Sequence, residues 1–380
     1  MKGPAALLVA TAVTLAVTAA IAGHEFPVYP SYYPHEIRIQ TVAPADAPGL
    51  LSKSGIHAYV GSGVQFGASL PDSIGAVDSL GSFIVVRVNP ASPVARDEAS
   101  TCAVARTVVR EIAAHPGEVK VHPYPVTPEH GDYLYHADLA EAAKSRLLDD
   151  SVGASIHHLR LRATGAAAER LARREWLAPQ GAWDAAIEEV SAAQLLAEAS
   201  TRLNGWLGPP WLKAGWFQAA LLFGPDVEGS PERNRAKADL VRLQAGAYDG
   251  AVERINLERD LVRSLAAGCR TTIAGYTLKR EYVSTEYSAG IENIGFDSIA
   301  GLESPLFIRT VKLKDFPWNG WLSLGVDGPP AAAWNPVAGF SDGFGRLMWS
   351  TLADPALLPA PYDAGWIFNR ISDVQGSAGR

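Results

Sequence analysis

The sequence predicts a mixed fold, α/β or α+β, with an N-terminal α/β layer, a helical region and a loop-rich, partly β C-terminal region. Strand-like runs flank a helical stripe before residue 160, helical periodicity follows, and Gly, Pro and Trp are frequent after residue 315. The chain has 380 residues, of which 48% are hydrophobic and 19% are charged. It is therefore long enough to bury the core of two or three domains.

The predicted α/β layer spans residues 23–160. Its helix, residues 96–114, places Val104, Val108 and Ile112 on one face and ends at a His-Pro-Gly sequence. The order of strand, helix and strand along this part of the chain favours an α/β layer. Five runs rich in apolar and β-branched residues are the predicted strands: 36–42, 57–60, 82–88, 118–122 and 156–162.

Residues 161–270 form the predicted helical region. Trp183, Ile187 and Val190 begin one amphipathic face, and Val252 begins a second face that stops at Gly268. Between them, the apolar residues 211–223 are bounded by Pro and Gly, which predicts a short buried helix.

Residues 271–380 form a predicted Trp-rich, mixed α+β region that packs on the rest of the chain. Residues 276–287 are strand-prone. In residues 306–314, apolar and charged side chains alternate after Thr310, which predicts a strand there. The remaining Gly, Pro and Trp residues favour loops.

Residues 1–22 predict export from the cytoplasm. Lys2 precedes an apolar run, residues 5–22, that closes in Ala20-Ile21-Ala22, as in a cleaved secretory signal peptide. A retained N-terminal anchor is the alternative, because this run reaches the lower limit for spanning a bilayer. We therefore expect a periplasmic or secreted protein that touches a membrane only through this segment, and only if it is uncleaved.

The chain contains two cysteines, Cys102 and Cys269. Because export takes the chain into an oxidising compartment, we expect a disulfide between them, with two buried thiols as the alternative.

Charge and residue distribution narrow the choice of partners. The formal net charge is -7, which excludes the broad basic surface that nucleic acid requires. All nine histidines lie between His24 and His158, and all ten tryptophans lie between Trp176 and Trp366, so we expect different roles for the two halves. A small-molecule ligand or a metal ion is the expected partner, with a second protein in a periplasmic or membrane complex as a further one.

Residues 122–138 hold the densest group of metal-binding side chains. If Thr127 and Pro128 begin a helix, Glu129, Asp132 and His136 lie on one helical face, and His122 ends the preceding strand. Imidazole and carboxylate ligands together suit a divalent transition metal such as zinc or copper. The sequence thus predicts a metal site formed by His122, Glu129, Asp132 and His136.

A structural polar cluster is the competing interpretation of the same residues. Asp138 and Glu141 form a capping box, which starts the helix ten residues later and leaves His130 and Asp132 in a loop. High-specificity metal signatures such as H-E-x-x-H are absent from the sequence.

Tryptophans in the C-terminal loops predict a ligand site of another kind. Trp318, Trp321 and Trp334 lie beside asparagine and glycine residues, which suits an apolar wall with a few hydrogen bonds to a sugar. Packing of these rings into a loop-rich core is the structural alternative. Glu281 and Glu286 add carboxylates of the kind that glycosidases use.

Three functional hypotheses follow from these patterns. The first is an exported periplasmic binding or accessory protein with a divalent transition-metal site in the His-rich half. The second is a periplasmic carbohydrate-binding protein or carbohydrate-active enzyme that uses the Trp-rich half. The third is a non-catalytic subunit of a membrane-associated complex. Nucleophile-elbow, Walker A and EF-hand motifs are absent from the sequence, which leaves open whether the protein is an enzyme.

Overall fold

The structure is a computed structural model, and it describes most of the chain between residues 34 and 372. The described residues are 34, 36–67, 69–149, 156, 158–178, 180–203, 209–224, 231–315, 320–330, 342–352, 355–369 and 371–372.

A mixed eight-stranded sheet organises the fold, in agreement with the mixed class predicted from the sequence. Its strands follow the order β1-β10-β2-β7-β3-β6-β5, with β4 also paired to β7. Two separate two-stranded sheets pair β8 with β9 and β11 with β12. The strands are β1 (Glu36–Thr41), β2 (Ala58–Val60), β3 (Ile74–Val88), β4 (Lys120–Val121), β5 (Leu161–Thr164), β6 (Ala185–Ser191), β7 (Thr271–Ser284), β8 (Ile291–Asn293), β9 (Lys312–Leu313), β10 (Trp321–Val326), β11 (Leu357–Pro359) and β12 (Trp366–Phe368).

The long antiparallel strands β3 and β7 join two half-sheets. The later part of β7 pairs with β2, which continues to β10 and β1; the later part of β3 pairs with β6, which continues to β5. The register of the β3–β7 pair shifts between Leu80 and Phe83, where one half-sheet gives way to the other. Such a bulge bends a strand and increases its twist.

Gly81 allows the two strands to approach at this bulge. A Cβ on Gly81 would lie 2.8 Å from Thr277 Oγ1 and 3.0 Å from the Lys279 backbone nitrogen, which leaves no room for a side chain. The neighbouring Ser82 backbone N–H donates a 3.0 Å hydrogen bond to the same Thr277 hydroxyl.

Both half-sheets are packed by apolar side chains. In β3, Phe83 and Val85 face one core, and Ile84 and Val86 face the other, as the two-residue period of a strand requires. The first core is completed by helices that follow β6, and the second mainly by the helix that carries Val108. Two smaller clusters cover the half-sheet of β1, β10 and β2.

Ten α-helices surround the sheet within the described residues. Among them, none is long and apolar enough to cross a membrane. They are α1 (Ala47–Ser52), α2 (Glu98–Ala114), α3 (Ala137–Leu148), α4 (Ala166–Leu171), α5 (Ala192–Leu203), α6 (Gly215–Phe223), α7 (Pro231–Ala245), α8 (Gly250–Leu265), α9 (Pro305–Thr310) and α10 (Gly343–Leu352).

Helix α2 forms where the sequence predicts it. Asp97 is its N-cap: the side chain accepts a 2.8 Å hydrogen bond from the Ser100 backbone N–H, and Ser100 Oγ accepts from the Asp97 N–H, so a capping box stabilises this end. Cys102 in α2 is bonded to Cys269, immediately before β7, with the Cα atoms 4.9 Å apart. This is the pair expected from the sequence.

Two predicted helical segments differ in the structure. The segment that contains Ile187 and Val190 forms strand β6, between β3 and β5, instead of an amphipathic helix. Its adjacent glutamates, Glu188 and Glu189, interrupt the apolar–polar alternation that marks a half-exposed strand.

No α-helix begins at Thr127: the His130 N–H donates to the Thr127 carbonyl oxygen at 2.9 Å in a turn, and a 3₁₀ turn, Tyr133–Tyr135, follows. Helix α3 begins instead at Ala137, close to the alternative start.

The predicted strand in residues 306–314 is only partly correct. Residues up to Thr310 form α9, because Ser304 Oγ accepts a hydrogen bond from the Leu306 N–H and Pro305 occupies the first helical turn. The strand β9 follows at Lys312, as predicted after Thr310.

The three predicted regions, 23–160, 161–270 and 271–380, share one sheet. Strands β1 to β4 come from the first region, β5 and β6 from the second, and β7 and β10 from the third. The predicted boundaries therefore do not separate one sheet from another.

The disulfide gives a first testable prediction. It closes a loop with a sequence separation of 167 residues, so a Cys102→Ala, Cys269→Ala variant should lose about 2–5 kcal/mol of unfolding free energy through the larger entropy of its unfolded chain. Urea denaturation of both proteins under oxidising conditions measures this loss. Equal midpoints and equal slopes for the two proteins would contradict it.

Candidate functional site

A cleft opens on one side of the sheet where the two half-sheets meet. Its first part, the bulge cavity, has a volume of about 330 Å³ and is lined at the strand bulge by Gly81 and Ser82 of β3 and by Lys279 of β7. Ala193 of α5 and Glu303, before α9, line the opposite walls. The cavity thus lies between elements of both half-sheets.

A buried ion cluster lies at the floor of the bulge cavity, which two of its three members, Lys279 and Glu303, line directly. Lys279 Nζ lies 2.9 Å from Glu303 Oε1 and 3.3 Å from Glu281 Oε1. The Glu281 side chain is 0% exposed, and its other oxygen accepts a 2.8 Å hydrogen bond from the Leu302 backbone N–H. The Glu281 carboxyl is therefore an ionisable group in a fully buried position, where an unpaired charge would be very costly in free energy.

Burial and neighbouring charges change the pKa values in this cluster. Burial raises the pKa of Glu281 to about 7, although Lys279 acts in the opposite direction. For Lys279, burial lowers the pKa, but Glu303 and Glu281 outweigh it and hold the pKa above its usual range. Burial also lowers the pKa of Arg346, which lines the same cavity.

A second chamber, the carboxylate cavity, lies farther along the cleft and has a volume of about 240 Å³. Lys213 lines this cavity and also a smaller connecting cavity of about 100 Å³, which shares Glu303 and Arg346 with the bulge cavity. The three cavities are therefore neighbours with shared lining residues, and we refer to them together as the cleft. Six charged residues line the carboxylate cavity: Glu129, Asp132, Lys213, Arg254, Glu258 and Asp363.

Local structure explains how the walls of the carboxylate cavity are placed. The Asp132 carboxylate accepts hydrogen bonds from the Gly215 and Trp216 backbone N–H groups, at 2.9 and 3.2 Å, and so caps the N-terminus of α6. Gly131 allows the loop between β11 and β12 to approach, because a Cβ there would lie 2.5 Å from the Tyr362 carbonyl oxygen.

The four predicted metal ligands are only partly brought together. Glu129 and Asp132 line the carboxylate cavity, whereas His122 and His136 do not. His122 Nε2 lies 2.9 Å from the Val126 carbonyl oxygen, and burial lowers the pKa of its imidazole.

His136 is held by another protein group. Its Nδ1 lies 3.1 Å from the Tyr124 hydroxyl, and burial lowers its pKa to about 4. In the part of the chain that the structure describes, no three His, Cys, Asp or Glu side chains are grouped as a metal site. The zinc or copper site stays a prediction.

The predicted tryptophan site falls largely outside the described residues, because Trp318 and Trp334 belong to segments that the structure does not describe. Trp321 begins β10 and is 58% exposed, with the Arg38 guanidinium 5.1 Å from its ring centroid. It does not line any of the three cavities of the cleft. A sugar site at these tryptophans stays a prediction.

Several residues of the cleft were not singled out by the sequence patterns. Glu258 lies on the buried face of α8 beside Leu257, Leu261 and Val262. A carboxylate on an apolar helical face is a signal that the sequence contains. Glu303 and Lys213 offer no such signal, because long-range packing alone places them in the cleft.

Comparison with known proteins gives only weak likenesses, and no family model and no curated protein matches the chain. NikZ from Campylobacter jejuni, solved with Ni(L-His), is 13% identical and covers 66% of the chain with 56% of its own length, at a TM-score of 0.34. The oligopeptide-binding protein AppA from Bacillus subtilis, solved with a nonapeptide, is 11% identical, with coverages of 71% and 58% and a TM-score of 0.36.

A third solved structure is the ABC transporter-associated periplasmic binding protein DppA from Helicobacter pylori, in complex with the peptide STSA. It is 12% identical and covers 72% of the chain with 55% of its own length, at a TM-score of 0.39. The chain thus spans between 55% and 58% of the length of these three proteins. At these TM-scores the likeness assigns neither a ligand nor an activity to the chain.

The pKa of Glu258 gives a second testable prediction. Burial raises this pKa from 4.5 to about 7, so the stability gained from the protonated carboxyl is complete below pH 4.5 and is lost as pH rises through 7. The neutral variant Glu258→Gln should therefore unfold at a higher temperature than the wild type at pH 8, with a gain of as much as about 3 kcal/mol, and should match it at pH 4.5.

Glu253→Gln is the matched control on the same helix. Hydrogen bonds from the Asp249 backbone and from Arg242 lower the pKa of Glu253, so this variant should show no gain at pH 8. Differential scanning calorimetry at both pH values distinguishes the variants. A Glu258→Gln effect that is the same at pH 4.5 and pH 8 would rule out a titration of Glu258.

Proposed function

We propose that the protein is an exported solute-binding protein of the periplasm and that the cleft between its half-sheets holds the ligand. The observation that carries this proposal is the buried cluster of Lys279, Glu281 and Glu303 at the floor of the bulge cavity. Ionisable side chains with shifted pKa values inside a cleft mark a candidate functional site.

The energetics of the cluster support a role in binding. Removing three charged groups from water costs several kcal/mol per ion, and a well-packed apolar floor would be as stable or more stable. The cluster nevertheless leaves Lys279 and Glu303 partly accessible, with side chains 14% and 18% exposed, on the side of the cavity. Their donor and acceptor atoms can therefore serve a polar solute as well as each other.

The expected compartment agrees with this proposal. A disulfide between Cys102 and Cys269 persists in an oxidising compartment such as the periplasm. The predicted signal peptide, residues 1–22, lies outside the described residues and stays a prediction. Three further hypotheses also stay predictions: the transition-metal site, the carbohydrate-directed alternative, and the membrane-complex subunit with its partner protein.

Blocking the bulge cavity tests the proposal. Ala193 is exposed on its wall, so Ala193→Trp should fill the cavity without disturbing the core, whereas Ala251→Trp on α8 is a matched control outside the cleft. We expect at least one solute in a panel of amino acids, short peptides, sugars and nickel-histidine to raise the melting temperature of the wild type. A free solute at 100 times its Kd contributes about 2.7 kcal/mol.

The solute-induced rise in melting temperature should disappear in Ala193→Trp and persist in Ala251→Trp. Thermal denaturation of both variants at a fixed solute concentration measures it. Binding that survives in Ala193→Trp, or a panel in which no solute shifts the wild type, would argue against the cleft as a binding site.

A further inference from the structure

The carboxylate cavity has an excess of negative charge at the far end of the cleft. Of the six charged residues that line it, four are acidic, Glu129, Asp132, Glu258 and Asp363, and two are basic. Its volume of about 240 Å³ is below the range of about 300–1,000 Å³ that is typical of whole-ligand sites. The space suits one end group of a solute.

Both basic residues already have protein partners. The Lys213 ammonium donates to the Ala360 carbonyl oxygen at 2.7 Å and to Asp297 Oδ2 at 3.3 Å. Arg254 pairs with Glu258 through Oε1 at 2.7 Å. Neither cation pairs with Glu129 or Asp363, whose partners are neutral: Glu129 accepts a hydrogen bond from Tyr276, and Asp363 Oδ1 accepts one from the Gly365 N–H at 2.7 Å.

Glu258 provides an independent indication of a missing donor. Its side chain is 1% exposed, and among the described residues Oε2, the oxygen that Arg254 does not hold, has no hydrogen-bond partner. A buried acceptor left without a donor costs about 1–3 kcal/mol, and more when it is charged. Because Glu258 lines the cavity, an N–H donor placed there can reach this residue.

The rim of the cavity also suits an organic cation. Tyr135 and Tyr362 line it, and both side chains are partly exposed. The face of a tyrosine ring attracts an ammonium or guanidinium group. A metal ion would require a compact group of ligands, and the described residues form no cluster of three.

We infer that the carboxylate cavity is a subsite for an organic cation, a primary ammonium or a guanidinium, with Glu258 as its central acceptor and Glu129 and Asp363 as additional carboxylates. This rests on the proposed function, because the subsite would bind one end of the solute held in the cleft. It restricts the ligand to small solutes that carry a positively charged nitrogen.

Isothermal titration calorimetry of the full chain at pH 8 tests the subsite. At this pH Glu258 is ionised, since its pKa is about 7. The probes are n-propylammonium chloride and, matched in size, n-propanol and sodium propionate. We expect a Kd of about 1 mM for n-propylammonium and no measurable heat for the other two.

Two variants and one control locate the probe. Glu258→Gln should weaken n-propylammonium binding about tenfold or more, and Asp363→Asn about threefold, because each removes a charged acceptor. Asp363 lies in an exposed loop, so its variant remains informative even if Glu258→Gln affects folding. Glu253→Gln, on the same helix as Glu258 and outside the cavity, should leave the affinity unchanged.

Three results would overturn the inference: equal binding of n-propanol, equal affinity in Glu258→Gln and the wild type, or binding of nickel chloride at this cavity in place of n-propylammonium. One result would overturn this inference but leave the proposed function intact. A panel solute would lose its binding in Ala193→Trp but keep its affinity in Glu258→Gln, because the bulge cavity would then bind the solute without the subsite. If neither a panel solute nor n-propylammonium binds the wild type, both proposals fail.

Discussion

The antiparallel pairing of β3 with β7 supports both half-sheets, because each half-sheet contains a part of each strand. The register shift between Leu80 and Phe83 lets one pair of strands serve two differently oriented neighbours, β2 on one side and β6 on the other. A continuous ladder would favour a flatter sheet and a shallower cleft. The bulge cavity and its ion cluster are therefore consequences of an irregularity in a hydrogen-bonded pair.

Two buried ionisable groups, Glu258 in the carboxylate cavity and His136 outside it, respond to pH in opposite directions. Burial favours the neutral form of Glu258, which titrates near pH 7 instead of 4.5, and the neutral form of His136, which titrates near pH 4 instead of 6.5. The carboxyl destabilises the fold as pH rises, and the imidazole destabilises it as pH falls. Between pH 4.5 and 6.5 these two effects on the free energy of unfolding oppose each other.

Local patterns in the sequence predict individual helices and strands well, but they predict poorly which of these elements pack or pair with one another. Helix α2 was predicted because Val104, Val108 and Ile112 repeat at helical spacing, and the pairing of Cys102 with Cys269 followed from export and from the absence of other cysteines. Strand β6 was missed because two adjacent glutamates, Glu188 and Glu189, interrupt its two-residue alternation. Half of the predicted metal group, Glu129 and Asp132, lines the cleft, whereas His122 and His136 face the Val126 carbonyl oxygen and the Tyr124 hydroxyl, contacts that no sequence pattern indicates.

The long-range pairing of β3 with β7 also fixes the order in which the protein can fold. Ser82 and Thr277, which meet at the bulge, are 195 residues apart in the chain. The central sheet therefore has to wait until three quarters of the polypeptide has been synthesised, and contacts at such separations form slowly. During that interval the nascent chain lacks its central sheet, and the strands made first, β1 to β6, are without the β7 partner that joins them.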